Sequence, residues 1–256
     1  VDHLVSIITP SYNVENYIAA TIESVVKQTY ANWELLITDD ASTDATTQII
    51  EAYQNKDPRI KLIKLDKNSG IATARNTSIK VSKGRFIAFL DADDIWYPEK
   101  LKTQIDAMLN KKAAVSFSSY RHIDESGLDL NVQVNAVQVL SYPKLLKNNY
   151  IGNLTGIYDA HQLGKIYAPD LKKRQDWCIW LQALKQSTSP AFGIPQPLAN
   201  YRVRTNSVSR SKLQLLKYNF QVYHTFLGFN VLKSTLFMLR FLVEYFVVRP
   251  KYISKL

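Results

Sequence analysis

Through its first 110 residues the chain alternates short β-rich runs with stretches of helical periodicity. Val5 to Thr9 is a strand-like run stopped by Pro10. Asn13 stands where it can cap a helix whose apolar residues Ile18, Ile22, Val25 and Val26 recur at helical spacing. Trp33 to Thr38 reads as a second strand and ends at Asp39-Asp40; Ser42, Thr43 or Asp44 can cap the helix that follows, marked by Ile49, Ile50 and Tyr53. Ile60 to Leu65 alternates apolar and basic residues, the pattern of a more exposed strand. Asn68-Ser69-Gly70 turns the chain into a helix from Ile71 to about Ser82, with Gly84 past its end. Phe86 to Leu90 is almost wholly apolar, as a buried parallel strand is, and runs into Asp91-Ala92-Asp93-Asp94. Pro98 then opens a helix with Leu101, Ile105, Met108 and Leu109 inward.

Repeated strand–helix units predict a mostly parallel sheet covered by helices. In such sheets ligands sit beyond the carboxyl ends of the strands, so polar residues there are the first functional candidates. The second half is less regular. Ala114 to Tyr120 reads as a strand, Asp124 to Gly127 as a turn and residues 141–148 as a short helix, while Trp177, Trp180, Leu181 and Leu184 mark one buried helix face. There is no internal repeat and no low-complexity linker.

Composition narrows the class. At 46% apolar and 21% charged residues the chain is globular, and its 256 residues suit one large domain or one domain with an appendage. The single cysteine, Cys178, excludes an internal disulfide framework and fits a reducing compartment. No signal-peptide pattern precedes the first strand. The net charge of +10 is concentrated at one end: residues 202–256 hold ten basic residues and one acid, Glu244, leaving 22 basic against 21 acidic residues in the first 201. A near-neutral body argues against a nucleic-acid surface. A basic tail argues for contact with something anionic, a membrane surface or a phosphorylated acceptor. From Phe226 to Val248 that tail is rich in Leu, Phe and Val, with Asn230, Lys233, Ser234, Arg240 and Glu244 on one helical stripe. The charges argue against a spanning helix, which wants ~20 largely apolar residues. A broad apolar face with a cationic edge suits either a membrane interface or packing on protein, and the surrounding basic excess favours the interface.

Two acid clusters carry the candidate chemistry. Asp91 and Asp93 are two apart at the end of a buried strand, so in extended geometry they face one ligand. Neighbouring carboxylates need a cation, a proton or donors to compensate them, and oxygen ligands suit Mg²⁺ or Mn²⁺ completed by phosphate and water. The plainer alternative is that these acids end a strand and favour the next helix. Asp39-Asp40 closes another strand at the same edge, where a carboxylate can accept from a base or a ribose hydroxyl, or simply cap a helix. Neither GxxxxGK[ST] nor GxGxxG is present, so a bound diphosphate must be met by metal and side chains. Arg75, near the start of the Gly70 helix, is one such side chain.

Thr9-Pro10-Ser11-Tyr12-Asn13, Asp39-Asp40-Ala41-Ser42-Thr43-Asp44, Gly70-Ile71-Ala72-Thr73-Ala74-Arg75-Asn76 and Phe89-Leu90-Asp91-Ala92-Asp93-Asp94 occur in that order. Together they resemble the nucleotide-binding half of the inverting family 2 glycosyltransferases of GT-A fold, among them bacterial cell-wall, capsule and teichuronic acid transferases. The resemblance covers residues 4 to about 110. It continues more weakly through Arg174-Gln175-Asp176-Trp177 and the run from Tyr201 to Ser209. It implies a hexosyltransferase-type enzyme that passes a sugar from a nucleotide-diphosphate donor, UDP-linked by expectation, to a glycan or lipid-linked hydroxyl, at the inner face of the cell membrane. It divides the chain into a donor half (1–110), an acceptor and base half (111–210) and a helical tail (211–256).

Carried over residue by residue, Thr9, Pro10 and Tyr12 line the base pocket; Asp40 accepts from the base, supported by Asp39; Arg75 approaches the diphosphate. Asp91 meets ribose or a metal water, with Ala92 beside it. Asp93 ligates Mn²⁺ or Mg²⁺, Asp94 reaches the sugar or the acceptor, and Asp176 is the general base. On the residues alone, Asp176 reads rather as a cap on the tryptophan-faced helix; the resemblance turns the reading toward the base. Two departures stand out: Gln175 replaces a frequent Glu, and Arg204 replaces a frequent His, which keeps phosphate binding but not metal ligation. A nucleotidyltransferase or hydrolase would want a basic or glycine-rich loop after the first strand, which is lacking. A non-catalytic nucleotide-sugar or membrane scaffold is the other alternative.

Overall fold

The computed structural model describes residues 3–204 and 212–256. Thr205 to Ser209, the end of the last motif, and Arg210 lie outside them. In chain order the elements are β1 (Val5–Ser11), α1 (Ile18–Val26), β2 (Trp33–Asp39), α2 (Thr46–Gln54), β3 (Ile60–Lys64), α3 (Ile71–Val81), β4 (Phe86–Phe89), β5 (Ile95–Trp96) and α4 (Lys100–Lys111). The second half adds β6 (Val115–Ile123), β7 (Asp129–Val134), β8 (Val139–Leu140), α5 (Tyr142–Leu145), β9 (Ile157–Asp159), α6 (Ala160–Leu163), α7 (Gln175–Gln186) and β10 (Ala191–Arg202). The tail follows as α8 (Lys212–Gln221), α9 (Val231–Val243) and β11 (Ile253–Lys255).

The strands join one sheet in the order β11-β7-β6-β9-β4-β1-β2-β3. β3, β2, β1 and β4 are parallel, as their βαβ pattern requires. From β4 onward, β9, β6, β7 and β11 pair antiparallel. β10 runs parallel to β6 on its other side and also pairs with β5 and β8. The exposed pattern of Ile60–Lys64 is explained by its place at the sheet edge.

Successive residues of a strand point to opposite faces, and the core divides accordingly. Ile7, Leu35 and Ile37 meet Ile18, Ile22, Leu101, Ile105 and Met108 on the α1/α4 side. Ile8, Leu36 and Phe89 meet Ile79, Trp177 and Trp180 on the α3/α7 side. With both faces covered, β1, β2 and β4 are buried along their whole length, which is why they read as near-continuous apolar runs. Helix α7 is locked down tightly: Trp180 lies directly against Gly156, where any Cβ would overlap the indole.

Several local expectations are corrected. β1 does not stop at Pro10 but continues to Ser11. Ser11 O faces β2, accepting from Asp40 N, whereas Ile8 O faces β4, accepting from Leu90 N. Pro10, in phase with Ile8, therefore turns its missing N–H toward β4, whose pairing with β1 has already ended at Ile8. Asn13 does not cap α1; it has φ of 48° and its side chain accepts from Thr43 N at 2.8 Å. None of the three cap candidates is the N-cap of α2, which is Ala45; Asp44, one residue before it, accepts from Thr46 N at 3.0 Å. Val26 is exposed, at the margin of the α1 face.

The tail packs on the body and closes back on the sheet. β11 pairs antiparallel with β7, and Asn135 N donates to Tyr252 O at 2.7 Å. The polar stripe expected on α9 is split: Asn230, Lys233 and Arg240 are exposed, whereas the other two residues are turned inward. Ser234 and Glu244 are buried against the body, and Glu244 accepts from Tyr150 Oη and from Lys144 Nζ at 3.1 Å. Instead the apolar stripe faces outward: Leu232, Leu236, Leu239, Val243, Phe246 and Val247 are all exposed. At 100° per residue Leu232, Leu236, Leu239 and Val243 fall within one narrow arc of α9, with Lys233 and Arg240 along one edge of it. Among the described residues no helix is long and apolar enough to cross a membrane.

One buried charge near the core has a measurable consequence. Lys100 is fully buried, with Nζ donating to Gln104 Oε1 at 2.6 Å and 4.1 Å from the Trp96 ring centroid. Burial lowers its pKa well below the ordinary 10.5. Between the folded value and 10.5 the unfolded chain binds more protons than the native state, so stability rises with pH through that window. Relative to Lys100→Met, the wild type should gain up to about 1.4 kcal/mol per pH unit as pH rises from 7 toward 10. Denaturant melts of both proteins across that range check the sign; a constant difference would show that the amine keeps its proton.

Candidate active site

At the carboxyl ends of β1, β2 and β4 the chain forms a cleft of about 720 Å³, the edge the strand order designates for a ligand. The loops after β1 and β2 are joined across it. Asn13 N donates to Ser42 Oγ at 2.9 Å, Val14 N to Thr46 Oγ1 at 2.8 Å, and Ala45 N to Glu15 Oε2 at 2.8 Å. Pro10, Tyr12, Asp40, Asp91, Ala92, Asp93, Asp94 and Arg204 all line this cleft, as their motifs require. Tyr12 is exposed, leaving its ring face open to a planar group.

Three donor-motif residues do not line this cleft: Thr9, Asp39 and Arg75, the last of which lines the second cavity described below. Thr9 is fully buried below the cleft, its hydroxyl without a partner among the described residues, so it does not line the pocket. Asp39 is buried and supports from behind: its carboxylate accepts from Ser11 Oγ at 3.1 Å, Ser42 Oγ at 2.6 Å and Ser42 N at 2.8 Å. Asp40 receives Ser69 N at 2.7 Å and Gly70 N at 2.8 Å, fixing the entrance of α3 against the cleft. Gly70 makes that entrance with φ of 89°, a conformation costly for any side chain.

The acid cluster after β4 is compensated unevenly. Asp91 Oδ1 accepts from the buried Arg75 at 3.2 Å and from Asn153 Nδ2 at 3.1 Å. Asp93 Oδ2 faces Arg204 Nη1 at 3.3 Å, and Arg204 lies over the Tyr17 ring. Burial, then the Asp91 charge, raises the Asp93 pKa against the pull of Arg204. Asp94 is buried; Oδ1 accepts from Arg202 N at 2.9 Å while Oδ2 has no partner among the described residues. Burial and repulsion from Asp93 and Asp91 push it well above the usual carboxylate range. Arg202 ties the cluster to the β6–β7 turn, donating to Asp93 O, Asp124 O and Glu125 O at 2.8–3.0 Å.

Asp91 also lines a second cavity of about 540 Å³, which shares Ile71 and Tyr201 with the first and holds Arg75 and Asp176. Asp176 lies in the first turn of α7 and does not cap it. The N-cap is Arg174, at φ of 69°, and Asp176 Oδ2 accepts from Asn149 Nδ2 at 2.8 Å. Gln175 is buried and donates to Leu171 O, bracing the approach to α7. Sequence reasoning overlooked the residues that orient the acids: Asn153 on Asp91 and Asn149 on Asp176. The signal available was three asparagines within six residues, Asn148, Asn149 and Asn153.

Among the described residues no group of three or more His, Cys, Asp or Glu side chains is placed to hold a metal. Asp91 and Asp93 nonetheless fit a divalent cation of the kind that takes one or two carboxylates and completes its shell with substrate phosphate, since their mutual repulsion is what such an ion relieves.

A parallel 3-2-1-4 half-sheet with acids at its carboxyl edge, continued by an antiparallel half that supplies a second cavity, is the architecture of the GT-A fold. The chain belongs to glycosyl transferase family 2, whose sequence profile matches residues 6–165. It is 40% identical over 232 residues to TuaG of Bacillus subtilis (strain 168), whose name assigns it to teichuronic acid biosynthesis, covering 91% of this chain and 92% of TuaG. It is also 40% identical over 242 residues to WfgD of Escherichia coli, named as a UDP-Glc:α-D-GlcNAc-diphosphoundecaprenol β-1,3-glucosyltransferase, covering 94% and 93% of the two chains. The fold matches that of Staphylococcus aureus TarS in complex with UDP-GlcNAc, at a TM-score of 0.75 and 22% identity over 96% of this chain and 74% of that one. It likewise matches the Pyrobaculum calidifontis mannosyltransferase PcManGT in complex with GDP-Man and Mn²⁺, at a TM-score of 0.68 and 16% identity over 97% and 71%.

Proposed function

We propose that this glycosyltransferase moves a sugar, with inversion, from a UDP-sugar to a hydroxyl of a lipid-linked glycan in cell-wall polysaccharide synthesis at the inner membrane face. The observation that carries the reading is the meeting of two cavities at Asp91: an acid-lined cleft at the strand ends on one side, and Asp176 on the other. A single displacement needs that arrangement, with the leaving diphosphate and the attacking hydroxyl on opposite sides of the reacting carbon.

Tyr12 and Pro10 offer an apolar wall to the base, and Asp40 holds the wall of α3 in place. Asp93, with Asp91, would hold Mn²⁺ or Mg²⁺, which when bound stabilises the negative charge of the departing diphosphate. Arg204 stands beside Asp93 and can donate to phosphate directly. Asp176, oriented by Asn149, takes the proton of the acceptor hydroxyl as it attacks. The names of WfgD and TuaG support a lipid-linked or cell-wall acceptor, and the TarS complex supports a UDP donor.

The outward apolar stripe of α9, with Lys233 and Arg240 along one edge, supports a membrane-surface seat for the tail. Leu232→Ser with Leu239→Ser should abolish co-sedimentation with vesicles containing anionic lipid; unchanged sedimentation would assign the stripe to a protein contact. The donor reading is tested by titration calorimetry with UDP and GDP, with and without Mn²⁺. UDP binding that requires Mn²⁺ supports it, and no binding of either nucleotide by the folded protein overturns it.

A further inference from the structure

The two cavities differ in charge. The strand-end cleft is lined by Asp40, Asp91, Asp93 and Asp94 against Arg202 and Arg204. The second cavity is lined by Arg75, Lys172, Lys173, Arg174 and Arg249 against Asp91 and Asp176. Arg75 is committed to Asp91, but Lys172, Arg174 and Arg249 have no carboxylate within ion-pair distance among the described residues. A sugar hydroxyl needs no such excess of positive charge. An anion does.

Two of these cations are also held in place. Arg174 precedes the N-terminus of α7, and its Nε donates to Asn219 Oδ1 at 2.7 Å. Arg249 lies over the Tyr150 ring at 4.9 Å, and its Nη1 is buried with no hydrogen-bond partner among the described residues. A buried guanidinium N–H left without an acceptor is costly, and a phosphate oxygen supplies the acceptor with a charge-assisted bond. Arg249 comes from the tail, as do Phe241 and Tyr245, which line the same cavity. Beyond Tyr245 the chain continues into the exposed Phe246 and Val247 of the outward apolar stripe. A cationic cavity thus opens beside an apolar helix face.

We infer that the second cavity is the headgroup site for an amphiphilic acceptor, in which Lys172, Arg174 and Arg249 bind the diphosphate joining the acceptor sugar to its hydrocarbon chain. The tail is then a wall of the acceptor site as well as a membrane seat. This rests on the transferase reading above and assigns its acceptor side to named residues.

The test is a binding titration with two probes: a sugar 1-diphosphate ester of undecanol, and the neutral undecyl glycoside of the same sugar. Lys172→Gln and Arg249→Gln should each weaken the diphosphate ester tenfold or more, leave the glycoside unchanged and leave UDP binding unchanged, which also shows that they fold. Arg249→Lys should recover part of the loss. Equal wild-type affinity for the two probes, or variants that bind the ester as the wild type does, would overturn the assignment. So would a parallel loss of UDP binding, which would give these cations to the donor. Wild type that binds the ester in the expected way but fails to bind UDP would support the anion site and remove the donor reading instead.

Discussion

Asp176→Asn should bind UDP as tightly as the wild type and turn over about 10³-fold more slowly, within the 10²–10⁴ that a positioned base supplies. The substitution keeps the shape and the contact with Asn149 but cannot accept the hydroxyl proton. Asp176 makes no N-cap bond, because Arg174 occupies that position, so the helix loses only the favourable charge of a first-turn carboxylate. That is worth about 0.3–1 kcal/mol, too little to unfold the domain. Release of UDP from donor in the presence of acceptor, followed alongside UDP calorimetry, separates the two roles. Full turnover in the variant would reduce Asp176 to a helix-terminal charge.

Asp93→Ala carries the second large effect. With Mn²⁺ present, UDP affinity should fall by about 10²-fold, at least what is lost when a metal site's support is removed. Without metal the affinity should hold or rise slightly. The deletion frees Arg204, now 3.3 Å from Asp93, to face phosphate, and it removes one of three crowded acids. A variant whose Mn²⁺ dependence matches the wild type would show that Asp93 is not a ligand. One that loses metal-free binding as well would show that Asp93 shapes the cleft instead.

The donor half was legible because its signals are local. Strand runs such as Phe86–Leu90 must be apolar when both faces are covered, and acids at their carboxyl ends have few other places to be. Thr9 shows where this fails: a motif marks a strand end, yet only its last residues reach the cleft, Tyr12 just past the end of β1, while Thr9, two residues inside that end, is buried beneath it. The acceptor half depends on contacts distant in sequence. Asn153 reaches Asp91 across 62 residues, and Glu244 reaches Tyr150 across 94, so no periodicity announces either. The tail shows the same limit. Its helical period and its charges were visible, but which stripe faces the body depended on Tyr150 and Lys144, which take the one acid inward.

All four tryptophans are buried, Trp33, Trp96, Trp177 and Trp180, and two of them ride on α7 within four residues of Asp176. Trp177 donates its Nε1 to Leu145 O at 2.9 Å, while the Trp180 Nε1 has no partner among the described residues and its ring packs on Gly156 and Phe89. Indole emission depends on the polarity and hydrogen bonding around the ring. The helix that carries Asp176 therefore carries its own optical reporter. A shift of α7 as acceptor enters would register in the intrinsic fluorescence of an unlabelled protein, with Trp33 and Trp96 as a fixed background on the donor side.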